Sequence, residues 1–486
     1  MEKLISNGMK LNRLSRISSF AFLFVLASVF PQQAALSRQL SSPALRDFEI
    51  PKVERVTLDK GIRLFLIEDH ELPVIQLQAI IRTGSIYEPS EKIGLAAMTG
   101  MVMRTGGTAG KTGDQIDEEL ERIAASVETG IELNSGFASM WVLKENFDTA
   151  LTILADILMN PVFNSDKIEL ARIQLGSDIA RRNDNVFSLT SREYWKLIYG
   201  PNSIYARQTE YAAINNISRD DLVAFHKKFY HPNNVLFAVC GDFNTEQVVE
   251  KLRQAFKNWQ KADVNLPQIP KVQYEFRPTV NLIKKNDLNQ SSIYLGHIGG
   301  QMNDPDYFAL ALMNRVLGSG FTGRLFKNVR SRQGLAYYVF GVYRAEYNYP
   351  GVFYVGCQTK SSATVRAIRA MTEQVKSITE SEITDEELAL AKENYLNSFV
   401  FNFESKNQVV KRLMTYEYFG YPPDFLQKTK ENISKVTKKD ILQAARKNLN
   451  PGRMQILVVG RPQDFNEPLS LLGSVNEIDI NIPPPK

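Results

Sequence analysis

The feature that most limits what this chain can fold into is a repeat shared by its middle and its end. Residues 217–241 (ISRDDLVAFHKKFYHPNNVLFAVCG) align without a gap on residues 436–460 (VTKKDILQAARKNLNPGRMQILVVG), an offset of 219. Identities are few (Asp221/Asp440, Lys228/Lys447, Pro232/Pro451, Val239/Val458, Gly241/Gly460). The order of signals is nevertheless the same: polar cap, amphipathic helix, Pro turn, apolar strand, Gly. Likewise PVIQLQAIIRTGS before one apolar helix resembles SSIYLGHIGGQ before another, DYFALALMNRVLG. A solenoid repeats every 20–50 residues or so, so an offset this long indicates two tandem copies of one domain.

The elements between these landmarks alternate in clusters. VERVTLDKGIRLFLIED reads as two strands around an Asp59–Gly61 turn, and VIQLQAIIRTG as a third. IGLAAMTGMVM reads as a buried helix, with helix-period stretches at 112–127, 145–158, 165–184 and 219–230. ELNSGFASMWVLK reads as a strand or strand pair, and NNVLFAVCGD as an apolar strand leading into the helix TEQVVEKLRQAFKNW. Strands and helices grouped in this way predict an α+β chain: two homologous α/β-roll domains in tandem, each a mixed, mainly antiparallel sheet flanked by helices. The expected layout is a leader at 1–37, domains at 48–262 and 273–475, a linker at 263–272 and a disordered tail at 476–486.

The leader expectation rests on a basic start, an apolar run from Phe20 to Phe30 and small residues in QQAALS. The run is uniformly apolar rather than amphipathic, which favours export to a periplasm by a bacterial secretory leader over the alternative, a mitochondrial transit peptide. It is also shorter than the roughly 20 residues of a membrane span, so the mature chain is expected to have none. Formal net charge is +5, of which the leader supplies +3 (Lys3, Lys10, Arg13 and Arg16 against Glu2), leaving too little to suggest nucleic acid as a partner. Two cysteines, Cys240 and Cys357, lie in strand-like apolar runs and read as buried thiols, a single bridge being the alternative.

Two phrases carry a likeness. KENFDTALTILADILMNPVF (144–163) and LGSGFTGRLFKNVRSRQGLAYYV (317–339), set in duplicated α/β halves, resemble the inverted-zincin peptidases, among them pitrilysin and the mitochondrial processing peptidase. Active members carry H-x-x-E-H on the first buried helix. Residues at i and i+4 share a face, so two imidazoles can hold one zinc while the Glu serves as general base. Here the matching positions are Ala97, Gly100 and Met101, none of which offers a good zinc ligand. The family's third ligand falls about seventy-five residues later, near Ser177 and Asp178. The only histidines are His70, His226, His231 and His297, and no HExxH or HxxEH occurs. His226 and His231, five apart, read as solvent-facing or helix-capping rather than as a metal site. Phosphate-loop, GxSxG and triad patterns are also missing.

The second half keeps what the first has lost. The resemblance implies that an Arg and, seven residues on, a Tyr hold the substrate backbone, and Arg330 and Tyr337 stand at that spacing, with Arg332 and Tyr338 beside them. A guanidinium forks to a peptide carbonyl and a phenol donates to one gaining charge. The resemblance therefore implies a subunit with no metal of its own, pairing with a zinc-bearing homologue over an extended peptide. The alternative is a non-enzymatic peptide-binding or scaffold protein of the same fold.

Overall fold

The computed structural model describes residues 51–403 and 405–484; the leader lies outside them. The first half contains β1 (Glu54–Thr57), β2 (Arg63–Glu68), β3 (Val74–Ile81), β4 (Ser126–Ile131), β5 (Gly136–Leu143) and β6 (Val235–Gly241). They form one mixed sheet in the order β1-β2-β6-β3-β5-β4, in which β2 and β6 run parallel and every other pair antiparallel. The second half contains β7 (Thr279–Lys284), β8 (Gln290–Ile298), β9 (Ala336–Tyr343), β10 (Val352–Lys360), β11 (Gln455–Gly460) and β12 (Val475–Glu477). Their order is β12-β7-β11-β8-β10-β9.

The two orders superpose strand for strand from β2/β7 inward, with β6 and β11 as the parallel partners of β2 and β7. The repeat noticed in the sequence is the unit that closes each sheet. Helix Arg219–Phe229 feeds β6 and helix Lys438–Asn448 feeds β11. Each begins with a capping box at the same aligned position, Ser218 with Asp221 and Thr437 with Asp440. The outer strands differ: β1 is antiparallel to β2, whereas β12 arrives from the chain's end and runs parallel to β7.

One face of each sheet carries its own helices over a large apolar core. The other face is covered by a helix borrowed from the opposite half. Helix Lys406–Tyr418 lays Val409, Val410, Leu413 and Met414 on Phe65, Ile67, Leu236 and Ala238 of the first sheet. Helix Val186–Tyr199 lays Leu189, Tyr194 and Ile198 on Ile283, Tyr294, Leu457 and Val459 of the second. Lys406–Asp69 (2.7 Å), Arg63–Glu417 (2.8 Å) and the Tyr418 hydroxyl donating to the Asn134 carbonyl (2.5 Å) pin the first of these helices. Such an exchange explains why strands β2 and β6, packed on both faces, read as nearly continuous apolar runs.

Two details depart from the sequence reading, the end of one helix and the start of the tail. The helix expected over 112–127 stops at Arg122; Ala124 takes the left-handed region (φ 47°) and turns the chain into β4. Of the strand or strand pair expected over residues 132–144, the structure has the single strand, β5. The tail expected to be disordered from 476 begins inside β12, and the Asn183 amide donates to the Ile480 carbonyl at 2.8 Å. Residues 259–278, which include the expected linker, have no helix or strand. Cys240 and Cys357 are free and buried on β6 and β10, their thiols pushed up by burial to about 11 and about 12. No helix among the described residues is long and apolar enough to cross a membrane.

Candidate functional site

Helix Leu95–Thr105 carries Ala97, Gly100 and Met101, the positions that the resemblance aligns with the H-x-x-E-H motif. Its N-terminus is tied by the buried Glu88, whose carboxylate accepts from the Ala96 N–H at 2.6 Å and the Gly94 N–H at 3.3 Å. Burial pushes Glu88 up to about 7, opposed by those N–H groups and by Arg207. Nothing in the sequence reading singled out Glu88; its distance of eight residues from the N–H it caps hides it from local cap patterns.

Ala97 and Met101 are half-buried on one side of this helix, and Gly100 is buried. A Cβ on Gly100 would lie 2.6 Å from the Ile131 nitrogen and 2.8 Å from the Gly130 carbonyl carbon and Cα. The Gly100 carbonyl also accepts from the Thr129 hydroxyl at 2.7 Å. Helix and strand β4 therefore meet backbone to backbone where a catalytic Glu would need room. Asp178 is exposed on helix Ser165–Arg181 and accepts from Gln174 in its own helix at 3.2 Å, and the Ser177 hydroxyl donates to the Ile173 carbonyl at 3.0 Å. These residues do not fit a zinc ion. Among the described residues no three His, Cys, Asp or Glu side chains gather into a metal-binding group.

The four histidines have structural partners. His226, expected near solvent, is instead buried, with Nε2 3.0 Å from the Leu158 carbonyl and its ring stacked on Tyr230. The apolar side of its helix sets this outcome, and burial drives His226 down to about 4. Both ring nitrogens of His231 face carbonyls, Lys227 at 2.8 Å and Gln260 at 3.1 Å, so it caps the helix end as expected. His297 is fully buried between the Ile298 carbonyl (2.7 Å) and the Asn450 N–H (3.0 Å), and burial brings it to about 4. His70 is exposed, and its hydrogen bond to Asp242 (2.6 Å), with Glu68 beside it, raises its affinity for a proton.

Arg330 and Tyr337 come together at the outer edge of the second sheet. Residues Phe326–Arg332 form a π-helix, a wide turn often found at functional sites, and β9 follows directly. The Arg330 guanidinium lies between the Phe326 ring (4.7 Å to its centre) and the Tyr337 ring (5.6 Å). Arg324, which opens the segment, is fixed by two 2.7 Å bonds to Glu387, and Arg324 holds that carboxyl below its ordinary value.

A register shift between Gln358 and Thr359 pairs those residues with Tyr338 and Ala336, so Tyr337 is the unpaired residue of a β-bulge. The residue is 77% exposed. Among the described residues the side chains of Arg330 and Tyr337 make no hydrogen bond or ion pair, leaving their donors free for a ligand. The neighbouring Arg332 donates to Asn328 (3.0 Å), and Tyr338 meets Phe340 and, from the first half, Phe187. The sequence reading missed Phe326; its i, i+4 spacing from Arg330 was the available signal.

Comparisons with known proteins identify the family. Residues 63–196 match the family described as insulinase (peptidase family M16), and residues 216–395 match the one described as peptidase M16 inactive domain. The chain is a pitrilysin-like member of the M16 peptidase family, one in which the zinc motif is missing. Its relatives include a protein named uncharacterized zinc protease from Rickettsia felis, 26% identical over 80% of this chain and 93% of that one. Another, from Helicobacter pylori, is named non-peptidase homolog YmxG and is 26% identical over 77% of this chain and 86% of its own. Among solved structures, a peptidase M16 inactive domain from Pseudomonas fluorescens superposes with a TM-score of 0.76 at 25% identity, over 85% of this chain and 98% of that one.

Proposed function

We propose that this chain is an exported, non-catalytic M16 subunit that pairs with a zinc-bearing homologue and clamps an extended peptide through Arg330 and Tyr337. The observation that carries this reading is a contrast within one molecule. Position 100 is closed by the backbone of β4, while a half apart in sequence a guanidinium and a phenol stand side by side with unused donors. Arg330 would hold a substrate carbonyl through its fork, and Tyr337 would donate to the same backbone. The leader sequence supports export to a periplasm, where the partner would be met.

Co-purification with exported HxxEH homologues, followed by peptide cleavage by each chain alone and by the mixture, tests the proposal. The expected result is cleavage by the mixture, none by this chain alone, and a loss of about tenfold or more with Arg330→Ala or Tyr337→Phe, as for removal of a group that orients a reacting carbonyl. Chelator-sensitive cleavage by this chain alone would overturn it. The second reading, a peptide-binding or scaffold protein without a role in catalysis, is supported by the non-peptidase name of the Helicobacter pylori relative. It expects both variants to leave the mixture's activity unchanged.

A further inference from the structure

The surface around Arg330 combines two properties that restrict what it can hold. The first is charge. From Tyr307 to Ala345 the chain contains Arg315, Arg324, Lys327, Arg330, Arg332 and Arg344, and no Asp or Glu. Arg324 is neutralised by Glu387 and Arg344 by Glu346, while Arg315 binds Ser398. Lys327, Arg330 and Arg332 lie within the single π-helical segment and, among the described residues, make no ion pair. Glu373, exposed on the helix that packs against this segment, pairs with none of the three, whereas Lys327 shares a pocket with Glu386 and Glu387 and its charge helps hold the Glu387 carboxyl below its ordinary value, so Arg330 and Arg332 are the freer of the cations.

The second property is exposed aromatic surface. Phe321 (77% exposed) meets Phe326 edge-on at 4.9 Å, Phe326 meets Arg330, and Arg330 meets Tyr337. Tyr338 and Phe187 continue the surface beside Tyr337. Large rings are seldom left exposed together without a use.

Unpaired cations repel a basic ligand and attract an acidic one, and the rings offer apolar contact on either side of the charge. We infer that this edge of the second sheet binds extended peptides in which acidic residues alternate with large apolar or aromatic ones, and that it rejects basic peptides. This inference names the substrate class of the proposed clamp and rests on that reading of Arg330 and Tyr337.

Fluorescence anisotropy on the full chain tests it, using fluorescein-labelled ten-residue peptides that alternate Asp with Phe, Lys with Phe, Ser with Phe, and Asp with Ser. The Asp/Phe peptide is expected to bind about tenfold or more tightly than either the Lys/Phe or the Asp/Ser peptide, with the advantage shrinking as salt shortens the reach of the charges. The variant Lys327→Glu/Arg332→Glu, which leaves Arg330 in place, is expected to erase or reverse that order. Equal binding of the Asp/Phe and Lys/Phe peptides, or no binding of any, overturns the inference.

Arg330→Ala/Tyr337→Phe separates the two levels. Affinity lost in that variant, with no acidic preference in the parent chain, leaves the clamp standing and removes the acidic class. An acidic preference undiminished in the same variant removes the clamp and, with it, the inference as stated.

Discussion

Gly100 gives the sharpest test of why this helix cannot be a zinc helix. In an ordinary helix interior, replacing Gly by Ala gains up to about 1 kcal/mol. Gly176, inside helix Ser165–Arg181, is such a position, because an added methyl would meet only the edge of Tyr211 at an ordinary 3.5 Å. At Gly100 the same methyl would enter to 2.6 Å of the Ile131 nitrogen and 2.8 Å of Gly130. A backbone cannot rotate aside as a side chain can, so β4 must retreat by roughly 1 Å, at a cost near the upper end of the about 1–3 kcal/mol usual for overpacking. Set against the propensity gain, Gly100→Ala should destabilise by about 2 kcal/mol and Gly176→Ala should stabilise. The assay is native-state hydrogen exchange. A loss of about 2 kcal/mol, at 1.36 kcal/mol per factor of ten, makes the Thr129–Ile131 amides exchange about thirtyfold faster in Gly100→Ala, and no faster in Gly176→Ala. If Gly100→Ala protected those amides as well as Gly176→Ala does, the closed contact would not exist.

Other outcomes follow from the same structure. The graft Ala97→His/Gly100→Glu/Met101→His should fail to hold stoichiometric zinc because residue 100 has no space for a carboxylate, whereas Ala97→His/Met101→His should fold, since both positions are half-buried; metal analysis and circular dichroism decide this. His226 and His297 have folded values near 4, so their stabilisation is complete above the unfolded value of about 6.5 and is lost as pH falls toward 4, by about 3 kcal/mol each at 1.36 kcal/mol per pH unit; urea midpoints between pH 7 and 4.5 measure it, and a flat profile would refute it. Glu88, raised to about 7, acts in the opposite sense, contributing fully below its unfolded value and losing stability as pH rises toward 7, so Glu88→Gln should steepen the acid loss in the same measurement. Residues 51–262 and 273–484 made separately should aggregate and should associate when co-expressed, because each leaves bare the sheet face that the other's helix covers; two soluble, well-dispersed halves in NMR spectra would contradict the exchange.

Much of the fold was legible because it is local. Strand alternation in β3 and β5, the apolar helix at 95–105 and the cap-helix-turn-strand repeat are all written in neighbouring residues. β4 was not, because its six residues, SVETGI, carry only one fully buried side chain, and its position at the sheet edge relaxes the alternation that would announce it. His226 was misjudged for a related reason. Its neighbours Lys227 and Lys228 are polar, yet the helix turns its ring onto Tyr230 and Phe163. The candidate pair was visible as a spacing of seven residues, but a spacing does not say whether two side chains meet.

The sequence by itself determined that the chain is a duplication and that positions 97, 100 and 101 have no zinc-binding side chains; it also places an Arg and a Tyr seven residues apart, the spacing on which the proposed clamp rests. These are matters of covalent order, and no fold can supply a ligand atom that a residue lacks. Only the tertiary structure decided that Gly100 is shut by β4, that a π-helix and a bulge bring Arg330 and Tyr337 onto one another, and that each sheet is finished by the other half's helix. Those contacts join residues far apart along the chain. Their distances are set by how helices and strands pack, which local pattern does not encode.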